Sequence, residues 1–169
     1  LRIGLKIGAR LKWLLVGGKV KAYNKMGTDF YHEGRLAEAE AQFRESIRIF
    51  PEHEVSHTNL GMVLVSAGRF REAEKELRDA VRINPNFAEA HGELGALYHK
   101  TGHKKEAHAE YQTATSLSPI NPIFHINFAT LCRDEGKFAE ADAEYKAAID
   151  SPWIDADTKR RIQELLGHE

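Results

Sequence analysis

The chain has one cysteine, five prolines and two methionines in 169 residues. With Cys132 as the sole thiol no intramolecular disulfide can form; the count leaves the redox compartment open, though a reducing one fits, and the localisation stays unknown, with the cytoplasm favoured and membrane association left open. Long uncharged apolar runs are missing from the N-terminus. Arg2, Lys6, Arg10 and Lys12 interrupt it, and the longest uncharged stretch runs only from Trp13 to Gly18, too short for a transmembrane span or for the apolar core of a standard signal peptide. Acidic residues are absent from residues 1–25, which hold seven basic ones; the rest of the chain carries 17 basic residues against 25 acidic. That acidic body argues against nucleic acid as the main partner. Nucleophile motifs, phosphate loops and dinucleotide fingerprints are also missing, so no enzyme activity and no cofactor are expected.

What is present is a period. Residues 54–87, EVSHTNLGMVLVSAGRFREAEKELRDAVRINPNF, align without a gap on residues 88–121, AEAHGELGALYHKTGHKKEAHAEYQTATSLSPIN. The same positions recur: His57 and His91, Leu60-Gly61 and Leu94-Gly95, Leu64 and Tyr98, Gly68 and Gly102, Ala73 and Ala107, Leu77 and Tyr111, Ala80 and Ala114, Pro85 and Pro119. A further copy upstream holds Tyr23, Gly27, Phe30, Gly34, Ala39, Phe43 and Pro51, and one downstream holds His125, Ala129, Cys132, Gly136, Ala141, Tyr145 and Ala148. Self-similarity at this period means stacked supersecondary units. His57, Leu60, Gly61 and Leu64 fall on one helical face, and Phe70, Ala73, Leu77 and Ala80 on the face that must meet it. Gly61 and Ala73 are small where the two helices would come closest.

These residues resemble the tetratricopeptide repeat, with Tyr or His where the family's first Trp stands. The resemblance implies an all-α fold, a right-handed α-solenoid of helix-turn-helix units. Four repeats are expected, at 20–53, 54–87, 88–121 and 122–153, closed by a capping helix at 155–167 with Asp155 or Asp157 at its start. Residues 1–19 lie outside the register. They alternate apolar and polar residues as a strand would, yet an all-helical array offers no sheet to join. Read as a helix they are basic and amphipathic. Three readings stay open: a helix capping the first repeat, a segment lying on an anionic membrane surface or reaching a partner through residues 1–16, or a remnant or the start of a longer chain, no initiator Met being present. Gly17-Gly18 is the expected hinge in each.

The resemblance also implies a concave wall made by the first helix of each repeat. Carried onto this sequence, the wall takes Lys21, Asn24, Lys25 and Thr28 from the first repeat and Val55, Asn59 and Met62 from the second. The third contributes Glu89, Glu93 and His99, and the fourth Ile123, Asn127 and Arg133. Many family members hold a peptide's terminal carboxylate here with Lys and Asn, then Lys and Arg. In this chain Asn24, Thr28, Asn59, Glu89 and Glu93 stand at those positions, and only Asn59 fits. Two carboxylates where two cations are needed would repel that ligand. The expectation is a non-enzymatic scaffold or adaptor for a protein or peptide partner, an extended or helical segment with apolar anchors and a basic residue facing Glu89 and Glu93. Asn59 and Asn127 could bond a peptide backbone. Two alternatives are carried: a substrate-recruiting array of a multidomain enzyme such as a glycosyltransferase, and a homo-oligomer assembled through the N-terminal segment.

No metal site is expected. His57, His91 and His125 sit on successive units, about 8–10 Å apart, too far to share one ion at ligand distances near 2 Å. His53 with His57, and His99 with His103, lack a third ligand. Cys132 reads as a small buried apolar residue without a neighbouring base, and Glu38, Glu40, Glu72, Glu74 and Glu76 read as a solvated face.

Overall fold

The computed structural model describes the backbone of residues 2–166 and the side chains of residues 16–166. Among them are nine helices and no strand, in keeping with the all-α repeat class: α1 (Arg2–His32), α2 (Leu36–Ile49), α3 (Glu54–Ser66), α4 (Phe70–Ile83), α5 (Ala88–Thr101), α6 (Lys104–Leu117), α7 (Pro122–Asp134), α8 (Phe138–Ile149) and α9 (Ala156–Leu166). The chain divides into two compact units, residues 1–85 and 86–169. The first holds the hairpins α1–α2 and α3–α4; the second holds α5–α6, α7–α8 and the closing helix α9.

Each hairpin turns on a glycine that no other residue could replace without strain. Gly68 has φ 75°, in the left-handed region, and Gly34, Gly102 and Gly136 repeat it at 74–81°. That turn lets Arg69 N donate back to Leu64 O at 2.9 Å, which uses up a carbonyl at the end of α3. The helices then meet where the sequence is smallest. A Cβ added at Gly61 would stand 2.6 Å from Leu77 Cγ, and one at Gly95 would stand 2.8 Å from the Tyr111 ring. Ala73, Leu77 and Ala80 are wholly buried on the facing side of α4. In the fourth repeat Ala129 takes the glycine's place and is itself fully buried.

The N-terminal segment departs from expectation at one point. Its backbone is helical, but Gly17-Gly18 form no hinge; α1 runs from Arg2 through both glycines to His32 as one helix. Two glycines cost a helix about 1 kcal/mol each relative to alanine, less than the loss of nucleating a second helix beyond a break. Val20, one turn further on, is buried and anchors the helix in the first hairpin. The membrane-surface and self-assembly readings rest on side chains of residues 1–15, which lie outside the described ones. Among the described residues no helix is long and apolar enough to cross a membrane. At the other end Asp155 Oδ1 accepts from Thr158 N at 2.9 Å to begin α9, whose Ile162 is buried.

Candidate functional site: the groove of the first unit

The groove between α1 and α3 is floored by a polar cluster that ties three helices together. Asn24 on α1 donates through Nδ2 to Ser46 Oγ of α2 at 2.7 Å and to Ser56 Oγ of α3 at 2.8 Å, with Val20 O also within reach at 3.0 Å. The two hydroxyls are 2.8 Å apart, and both serines are fully buried. Asn59 Nδ2 approaches Asn24 Oδ1 at 3.4 Å. His53 caps α3: its Nδ1 accepts from Ser56 N at 3.2 Å, which requires an unprotonated Nδ1. Burial lowers the pKa of His53, in agreement with that role.

Above this floor lies a cavity of about 590 Å³, within the range of pockets that hold a ligand. Six of the residues expected to line the wall meet here: Lys21, Asn24, Lys25, Thr28, Val55 and Asn59. Val16, Gly17, Val20, Phe50 and His53 complete the lining and were not anticipated. Phe50 and His53 belong to the connection between repeats, which a count of helical positions passes over; Val16 and Gly17 belong to the segment read as separate. A smaller recess of about 80 Å³ beside Met62 shares Thr28 and Asn59. At the rim Lys21 is exposed, while Lys25 pairs with Asp29 at 2.6 Å. The wall is therefore mostly apolar, with Lys21 outside any ion pair among the described residues and an amide floor already spoken for: Asn24 uses its donors to hold the fold, which limits what it can offer a ligand.

The remaining expected residues lie in the second unit, on α5 and α7. Glu89 is exposed; Glu93 is half-buried, and burial raises its carboxyl pKa. The two are thus unequal anions. Glu93 also adds to the burial that raises the Tyr111 phenol. His99 Nε2 lies 2.9 Å from Asp134 Oδ2, so its ring is engaged. Ile123 is 60% exposed, and Asn127 and Arg133 are half-buried. Between these helices Gly92 admits the Phe124 ring, which a Cβ would meet at 2.6 Å.

Two expectations about charged side chains are overturned. Glu40 and Glu76 do not face solvent: both Glu40 oxygens accept from Arg69 Nη1, at 2.7 and 2.9 Å, and Glu76 accepts from His57 Nδ1 at 2.8 Å. The same carboxylate–imidazole pair recurs as His91 with Glu110 and His125 with Glu144, each at 2.6 Å and each nineteen residues apart. The signal was in the sequence, since Glu76, Glu110 and Glu144 follow the period of the histidines. Burial opposes charge on His57, but Glu76 and the Pro51 carbonyl outweigh it and its pKa is raised. Asp79 lies close enough to His57 and Glu76 for three ligand atoms to share an ion. Both His57 nitrogens are already committed, however, and Lys75 and Arg82 neutralise the acids. The second correction concerns Cys132. His108 and Glu140 stand beside it, so the thiol does have a basic neighbour.

Two models of the tetratricopeptide repeat match the sequence, one over residues 19–86 and one over residues 64–119. No curated protein matches. Among solved structures the chain is similar to pilF of Pseudomonas aeruginosa, with 18% identity and a TM-score of 0.80, covering 90% of this chain and 69% of that one. MamA of Desulfovibrio magneticus is 19% identical with a TM-score of 0.67, covering 86% and 77%. The first repeat domain of Spaghetti (RPAP3), bound to an HSP90 peptide, is 20% identical with a TM-score of 0.65, covering 70% and 94%. These likenesses show the fold.

Proposed function

Because the chain belongs to the tetratricopeptide repeat family, we propose that it is a non-enzymatic interaction scaffold whose first unit receives a partner polypeptide in the α1–α3 groove. The observation that carries this is the cavity of about 590 Å³ walled by Val16, Val20, Phe50 and Val55, with Lys21 at its rim. An apolar anchor residue fills such a space, and an acidic side chain next to it meets Lys21. The expected partner is thus an extended or helical segment pairing an aliphatic or aromatic residue with Asp or Glu. On the second unit, exposed Glu89 offers the opposite charge. The structural neighbour bound to an HSP90 peptide supports a peptide as the ligand class.

Selection of a phage-displayed random peptide library on the immobilised chain tests this reading. Peptides with an apolar residue beside an acid should be enriched, and Val55→Glu or Lys21→Glu should remove them. Enrichment indifferent to both changes would overturn the assignment to this groove. A second copy of the chain as occupant would instead appear as a concentration-dependent mass in sedimentation that Val55→Glu abolishes.

A further inference from the structure

We propose that His108, Cys132 and Glu140 form a binding site for a thiophilic divalent cation of the zinc class. The residues come from α6, α7 and α8, three helices of the second unit, and one ligand atom of each lies within 4.8 Å of the other two. His108 Nε2 is 3.1 Å from Glu140 Oε1, and its ring packs edge-on against Phe128 at 4.8 Å, which fixes its plane. Around a tetrahedral zinc, ligand atoms stand roughly 3.2–3.8 Å apart. Contraction by about 1 Å completes that geometry, and Glu140, with 40% of its side chain exposed, has the freedom to supply it.

Glu135 lies just beyond α7, and its buried Oε2 is 2.8 Å from Lys137 Nζ; with three protein ligands, a water completes the tetrahedron. An opening of about 260 Å³ lined by Lys105, His108, Gln112 and Glu135 leads from solvent to the imidazole. One thiolate, one imidazole and one carboxylate select zinc over calcium or magnesium, which take oxygen ligands. The cation needs His108 Nε2 unprotonated, so a proton on that nitrogen moves to Nδ1 or to solvent, and the Cys132 thiol releases its own proton to solvent. Burial, with the nearby Glu140, pushes that thiol up to about 12, so in the cation's absence it stays protonated. Lys137 and Lys104, the latter bonded to Asp134 O at 2.9 Å, are the cations that oppose entry.

Titration of the whole chain with cobalt(II), followed by zinc competition, tests the site. Saturation at one equivalent with a thiolate-to-cobalt charge-transfer band is expected, together with a zinc-dependent rise in melting temperature. Cys132→Ser should remove the band. Glu140→Gln, at a position exposed enough to leave folding intact, should weaken zinc by more than the about 10- to 100-fold typical of an outer-shell partner. Cobalt bound without that band, or zinc bound equally well by Glu140→Gln, would place the metal on other histidines and overturn the proposal.

Discussion

His57 Nδ1 stands 2.8 Å from a carboxylate oxygen of Glu76, and its Nε2 stands 2.9 Å from Pro51 O. With an acceptor on both sides, the ring satisfies both only as an imidazolium. The pair joins α3 to α4 and to the chain entering their hairpin.

Stability should follow the charge of that ring. The His57 pKa is raised above its ordinary 6.5 in the folded chain. Its contribution is therefore fully present below 6.5 and is lost as pH rises through the higher folded value. Glu76→Gln keeps the shape and removes the charge, and should cost about 1–3 kcal/mol between pH 4.5 and 6.5, where the carboxylate is ionised and the imidazole protonated. Urea unfolding of both proteins across pH is the measurement: the gap between them should narrow as pH climbs above 6.5. A gap that widens would contradict the sign.

Glycines at two places should respond in opposite ways. Gly61→Ala drives a methyl into Leu77 and should destabilise by about 1–3 kcal/mol, the cost of overpacking. Gly18→Ala, where an added Cβ meets nothing within 4 Å, should stabilise α1 by about 0.5–1 kcal/mol. Thermal melting of the two variants beside the parent checks both.

Asn24→Leu keeps the branched outline of the side chain, with bulkier methyls, while removing the amide that joins Ser46 to Ser56. Ser56 Oγ keeps His53 Nδ1 at 2.8 Å, but Ser46 Oγ would be left with only the other hydroxyl among the described side chains, and the loss should cost about 1–3 kcal/mol. Peptide capture should fall as well, although the rim at Lys21 is untouched. Calorimetric melting and peptide titration separate the two effects.

On the second unit the clean change is Glu89→Lys. It reverses an exposed charge and should leave the unfolding free energy within about 0.5 kcal/mol of the parent. Any partner that docks a basic residue there should lose binding. Glu93→Lys would place an ammonium where burial already disfavours a carboxylate, so loss of binding in that variant would report misfolding as readily as contact.

The helices were legible because their periodic residues do one job each. Gly61 sits against Leu77 and Gly68 turns left-handed wherever the period repeats. The cavity was half legible: Asn24, Val55 and Asn59 follow from helical register, whereas Phe50 and His53 depend on how a connection folds back. Contacts between helices distant in sequence were the hardest to read. The spacing of His57 and Glu76 recurs in plain sight, yet a glutamate on a charged helix looks solvated until the partner helix is in place. His108, Cys132 and Glu140 meet only through the packing of three helices, and no local pattern marks them.

The uninterrupted course of α1 has a mechanical consequence. A helix advances about 100° and 1.5 Å per residue, so each of the thirty-one residues of Arg2–His32 has an azimuth fixed relative to the first hairpin. Inserting one residue between Gly17 and Gly18 would swing everything upstream by more than a quarter turn about the axis, while a full heptad would restore nearly the original heading. The arm is geared to the groove, and its aim is set by residue count.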